Sequence, residues 1–461
     1  MGLGKLLDRF AAERPVAVMY RALLERVFAA ERVNKLFAET ALQQREHCIA
    51  FSTVVDILGE VVTRQQKAVN TAYKAYGGKE TVGASVAALY DKMAKVEPRV
   101  SERLVRETFG NLAEIIDLLP RRHKSLLPGV RLRIVDGKQL NGTEHRLKET
   151  RPRREAVLPG KLVSVLDPDR QLVLGVVTTE DAHANERTLW DGILELLQER
   201  DCVVADRNFC TKGSLLRLAA RQMLFVIRQH QGDCPVEVLS RRPRRLGNTA
   251  SGTVYEETVR IVDRQGQTLT LRRITVRLNK PTGKGEKEIY ILTNLPAKIG
   301  GRKIAEVYRH RWKIEQAFQT LAEALRGEVN TLAYPRAALL GYCLALVAYN
   351  FLSAVKAVVH SAQPDSAETK LSSYYMADEV TRAWDGMDLM IPAAIWERQF
   401  VTLPLATFVR KLRSIAKHVS IPRFTTTTRG PKKPRRQLPR GTSTHLSTSR
   451  LLTAARTATN C

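Results

Sequence analysis

From residue 130 the chain alternates in a way that few folds accommodate. VRLRIVDGKQL, KLVSVLDPD and QLVLGVVTTE are three β-rich runs, the last two joined through DPDR as a hairpin. NERTLWDGILELLQER then has helical spacing, DCVVADRNF is a strand, TKGSLLRLAARQ a helix and MLFVIRQH a strand. Three strands followed by helix, strand, helix, strand require a mixed sheet with helices packed on it, so this stretch is α/β. Between about 230 and 298 the alternation stops. GTVYEETVRIVD, QTLTLRRITVRL and EKEIYILTNL are three more strands, separated by RQGQ and NKPTGKG, and read as a β-rich insertion.

Helices flank this core. Residues 1–125 carry apolar residues at three- and four-residue spacing, broken at YGGKETVGAS and VEPRVSE. After residue 327 the pattern is helical again. AALLGYCLALVAYNFLSAV, from Ala337 to Val355, is long enough to span a bilayer, yet it contains Gly341, Asn350 and Ser353 and stands alone in a highly charged chain. It reads as a helix buried within a soluble domain, and no membrane partner is expected.

The 74 Lys and Arg against 47 Asp and Glu give a net charge of +27, which points to a polyanion, with nucleic acid first among soluble candidates. Charge alone leaves a ribosome-like or membrane-surface protein open. From Arg398 to Cys461 there are 14 Lys and Arg and no acid, and residues 421–461 read as a basic tail, unstructured in isolation, suited to phosphate contact. The six cysteines are scattered without a C-x-x-C pair, so neither a disulfide framework nor a zinc site is expected and a cytoplasmic location fits.

Three carboxylates stand out against this frame. Asp136 ends the first β-run in RIVDGK, where an ordinary Asp-Gly turn is the plainer explanation. Asp206 ends the fourth run in VVADRNF, where a helix cap is the plainer one. Glu315 lies in GGRKIAEVYRHRWKIEQAFQTLAEAL, which reads as one helix over 300–325. At ~100° per residue, Tyr308, Arg311, Glu315, Gln319 and Ala322 share a face beside the apolar stripe of Ile304, Val307, Ile314, Phe318, Leu321 and Leu325. An Arg–Glu pair on a solvated face is the bland alternative. Two acids at the carboxyl ends of strands, with a third delivered from a packed helix, would make a hard-oxygen site for Mg²⁺ or Mn²⁺. Two such ions can drive in-line phosphodiester cleavage. Arg207, Tyr308 and Arg311 are then candidates to hold DNA phosphates, and Trp312 is expected to pack beside the site.

VDGKQL, ADRNF and YRHRWKIEQAFQTL together resemble the DDE transposases of the insertion-sequence-four family, with the Tyr-x-x-Arg-x-x-x-Glu signature at Tyr308, Arg311 and Glu315. The resemblance implies a ribonuclease H-like catalytic domain over 126–360, interrupted by the β-rich insertion at about 230–298. It further implies a DNA-end-binding helical region over 1–125, a helical region over 361–420, and the basic tail. It makes Asp136, Asp206 and Glu315 the catalytic, metal-binding triad, with Tyr308 and Arg311 as strand contacts. It also implies double-stranded DNA as partner, both terminal inverted repeats and target, and a homodimer in the DNA complex. One position departs from the signature: the lysine seven residues after the glutamate is here Ala322, with Arg326 one turn on as a substitute. A DNA-binding regulator, or an inactive copy that binds ends without cutting, is the alternative that Ala322 favours. A ribonuclease H-like nuclease that never joins strands shares the same acids.

Overall fold

The computed structural model describes residues 3–44, 48–120, 125–152, 154, 156–283, 285–363 and 369–426; most of the basic tail lies outside the described residues. The strands are β1 (Arg131–Gln139), β2 (Lys161–Asp167), β3 (Leu172–Thr179), β4 (Asp201–Ala205) and β5 (Leu224–Arg228), followed by β6 (Glu237–Val238), β7 (Arg244–Thr249), β8 (Gly252–Val262), β9 (Thr268–Leu278) and β10 (Glu288–Thr293). The helices that matter for the site are α1 (Pro98–Asp117), α2 (Trp190–Leu196), α3 (Lys212–Ala220), α4 (Gly301–Arg309), α5 (Trp312–Glu323) and α6 (Pro335–Ala362).

Among the described residues the strands form one sheet in the order β3-β2-β1-β4-β5-β10-β9-β8-β6, with β7 on β8. β1, β2 and β3 are an antiparallel meander, while β4 and β5 run parallel to β1. The antiparallel pairs follow from the short hairpin, and the parallel ones from the helical crossovers, which alone can return a chain in the same direction. This is the ribonuclease H-like arrangement. The segment expected as an insertion does not form a separate sheet: β10 pairs antiparallel with β5 and carries β9 and β8 outward as an extension of the same sheet.

Strand alternation sorts the core into two layers. Leu132, Ile134, Cys202, Val204 and Val226 face one core with Ile314, Ala317 and Leu321 of α5 and the apolar residues of α6 from Ala337 to Val359. Val135, Val203, Ala205, Phe225 and Ile227 face the other, with Trp190 and Ile193 of α2 and Leu215 and Leu218 of α3. The 28-residue α6 is long and apolar enough to cross a membrane, but 94% of its most apolar window is buried inside the protein. Its Asn350 accepts a hydrogen bond from Val173 N (2.7 Å) and donates to Val173 O (2.9 Å). One buried amide thus satisfies backbone groups of the edge strand β3, which would otherwise stand as a template for another chain. α1 closes the same edge, where Glu102 accepts from Thr178 N and Oγ1 (2.7 and 2.8 Å). Residues up to Thr425 form one compact unit.

Candidate active site

β1 does not turn at Asp136. It continues to Gln139 against β2, and only its parallel ladder with β4 stops, at Val135 opposite Ala205. One residue further, Asp136 and Asp206 lie side by side across strands that are ~4.8 Å apart. Both project to the layer of Ile134 and Val204, where α5 packs. The β4–β5 ladder ends likewise at Ala205 opposite Ile227, so Arg228 follows in the same row. Asp136, Asp206 and Arg228 therefore stand in register just past the point where the parallel ladders of three adjacent strands end. Arg228 escaped the sequence reading; the available signal was its place as the first polar residue after the apolar run of the third parallel strand.

The predicted single helix is two. His310 and Arg311 bond back three residues, to Val307 O and Tyr308 O, and this tight turn separates α4 from α5. Val307 and Ile314 remain buried on either side of it, while Arg311 turns to the strand ends. Its Nη1 donates to Asp136 Oδ2 at 3.2 Å and its Nη2 to Glu315 Oε1 at 2.6 Å. The Arg–Glu pair is therefore real, but it is part-buried and shared with Asp136 rather than solvated. Arg311, expected on a phosphate, is here the counter-charge of two acids.

The acids press on one another. The Asp136 carboxyl is pushed up to about 7, chiefly by burial, with Asp206 and Glu315 adding to the rise and Arg311 opposing it. Burial works against the charge on Arg311, but Tyr308, Asp136 and Glu315 more than offset it and hold its proton tighter. Burial also raises the Tyr308 hydroxyl, against the pull of Arg311 and Arg228. Tyr308 thus sits among the residues with which it was grouped. Three oxygen-donor groups on one face, short of positive charge, suit a hard divalent cation in donor chemistry. With Arg311 between Asp136 and Glu315, no three His, Cys, Asp or Glu among the described residues are spaced to hold an ion in this arrangement.

Other placements differ from expectation. Arg207, expected on DNA, is paired in the free protein: its Nη1 donates to Glu286 Oε1 at 3.0 Å, and Arg228 Nη2 reaches the same oxygen at 2.6 Å. Trp312 is 56% exposed at the start of α5 rather than packed. Arg326 does not stand in for the missing lysine at Ala322, because its guanidinium donates to the carbonyls of Gln66 and Lys67. Ala322 O itself accepts from Arg64 Nη2 at 3.0 Å, so the end of α5 is tied to the N-terminal helical region.

Two further residues fix the strand ends. Asp206 Oδ1 accepts from Asn208 N at 2.8 Å, so the capping role is present. Asn208 Nδ2 donates in turn to Glu186 Oε2 at 2.6 Å, and Asn208 O accepts from Arg187 Nε at 2.6 Å. Glu186 also lies over Gly137: a Cβ there would fall 2.7 Å from its Oε2 and nearer still to its Cδ. Glycine follows Asp136 because a carboxylate occupies its side-chain space. Gly137→Ala is expected to push the flexible end of Glu186 aside, cost ~1 kcal/mol or less in chemical denaturation and loosen the Asn208 hold on Asp206. A loss above ~2 kcal/mol would mean that Glu186 has no room to move.

Residues 128–351 match the transposase DDE domain family. That span takes in all three acids, the row at the strand ends and the sheet extension. No curated protein matches the chain. Among solved structures the chain is similar to a piggyBac transposase synaptic complex with hairpin DNA, with 11% identity over 87% of this chain and 85% of that one. The TM-score is 0.38.

Proposed function

We propose that the protein is a DNA transposase that cuts the ends of an insertion sequence and joins them to target DNA, with Asp136, Asp206 and Glu315 holding Mg²⁺ or Mn²⁺, two ions in all. The observation that carries this reading is the in-register pair Asp136 and Asp206 on adjacent parallel strand ends, faced by Glu315, inside a segment that matches a transposase DDE domain. Such ions, when bound, activate the attacking hydroxyl and stabilise the leaving oxygen of an in-line displacement. The chain's own contribution is positional. Asn208 and Gly137 each occupy one oxygen of their aspartate and leave the other to face the site. Arg311 neutralises the acids in the free protein; once they have cations, its two-pronged guanidinium can take a phosphate. The Tyr308 hydroxyl, with its proton held by burial, donates to the same strand. Double-stranded DNA is the partner, and the joining of two ends calls for a homodimer on it.

The test is the purified full chain with DNA bearing the terminal repeats that bracket its gene, in Mg²⁺. Cleavage, then joining of pre-cut ends, is expected, and alanine at any of the three acids should remove both. Binding of the ends with neither nicking nor joining would replace this reading with that of a DNA-binding regulator, and cutting without joining would leave a nuclease.

A further inference from the structure

The turn between β9 and β10 is built to present one carboxylate. Thr282 N donates to Glu286 O (2.9 Å), Gly285 N to Thr282 O (2.8 Å) and Glu286 N to Thr282 Oγ1 (3.2 Å), with Gly285 at φ +81°, a conformation that favours glycine. Thr282 Oγ1 also donates to Glu286 Oε2 at 2.9 Å. The other oxygen, Oε1, receives both Arg207 Nη1 and Arg228 Nη2. Two guanidinium groups share one oxygen of this carboxylate and a hydroxyl holds the other, so two positive charges meet a single negative one. Convergence of this kind is what a phosphate oxygen receives from a protein. Arg228 lies one strand beyond Asp206 in the row at the strand ends, so the fork adjoins the acids. The side chains of Arg207, Arg228 and Glu286 are 38%, 19% and 28% exposed, so the fork opens to solvent rather than to core.

We infer that Arg207 and Arg228 form a phosphate-binding fork for DNA beside the three acids, and that Glu286 fills it in the free protein as an internal stand-in for that phosphate. This rests on the transposase reading above. The β9–β10 turn then acts as a latch. DNA displaces the Glu286 carboxylate from the two arginines, and its bond from Thr282 Oγ1 is lost with it. Sequence DNA-free, the fork is closed; strand-bound, it is open. The latch makes non-specific binding weaker than the charge of the chain alone would give, because any phosphate must first compete with a tethered carboxylate.

The experiment is fluorescence anisotropy of a labelled mixed-sequence duplex with the full chain in EDTA, where cleavage is excluded. Glu286→Gln, which keeps size but drops the charge, should bind about tenfold tighter than wild type, in keeping with a charge-assisted pair that no longer competes. Glu286→Asp, one methylene shorter, should fall between. In an Arg228→Gln background the gain from Glu286→Gln should shrink, and with Arg207→Gln added it should vanish. Independently of any variant, amide exchange across residues 279–287 of the wild-type protein should speed up when the duplex is added. An unchanged or weaker affinity for Glu286→Gln, or unaltered exchange in a chain that binds DNA, overturns the latch while leaving the transposase reading intact. Failure of every form to bind duplex at low salt overturns both.

Discussion

Asp136→Asn should abolish DNA cleavage while making the metal-free protein more stable. The expected loss of activity exceeds about a hundredfold, since even outer partners of metal ligands are worth ~10–100-fold. The stability gain follows from the raised carboxyl. Unfolded, Asp136 titrates near its ordinary 3.8; folded, near 7. The folded chain therefore binds the extra proton, so the favourable contribution is complete below pH ~4, is lost as the pH climbs towards 7, and stays lost above it. At pH 8 a neutral amide removes a penalty on the order of 2–4 kcal/mol, less whatever Arg311 loses in giving up one of its two acids. Denaturation in EDTA should show the variant and the wild type alike near pH 4 and furthest apart at pH 8. A wild type that gains on the variant as pH rises from 5 to 8 would show that Asp136 is stabilised as an anion without metal.

The same site shows why some of it could be read from the sequence and some could not. Period-two alternation in VRLRIVD, the short apolar run in DCVVAD and the helical spacing between later runs are local signals, and they place acids after apolar strand segments. Which strands are neighbours is decided by pairing at a distance. EKEIYILTNL reads as a strand, but nothing in it says that it will pair with LFVIR and extend the sheet. The break at His310–Arg311 has no glycine or proline to mark it; the ion pairs of Arg311 accompany it and come from residue 136 and residue 315. Arg228, Glu186 and Glu286 likewise have meaning only through partners 58, 22 and 79 positions away in the chain. A sequence read in windows sees the donor and not the acceptor.

The other large effect is expected at the opposite end of the same strands. Arg133, with its side chain 7% exposed, pairs with Asp167 (2%) at 2.8 Å and lies 3.5 Å from Asp201 (1%). Arg131 adds a bond to Asp201 at 2.8 Å, and Arg170 joins Asp167 to Asp117. Arg133→Met should cost about 3 kcal/mol in urea denaturation, the low end for breaking a buried pair, because each acid keeps a second partner. A cost under ~1 kcal/mol would mean that Arg131 and Arg170 suffice. The contrast between the ends is the larger point. Where β1 and β4 begin, three arginines answer Asp117, Asp167 and Asp201, and the charges close on themselves. Where the parallel ladder ends, a single arginine among the described residues, Arg311, pairs with both Asp136 and Glu315, while Arg207 and Arg228 are turned aside by Glu286. The same strands carry a neutralised end that holds the sheet and an end left short of positive charge. That shortage suits this end to the divalent ions proposed for it.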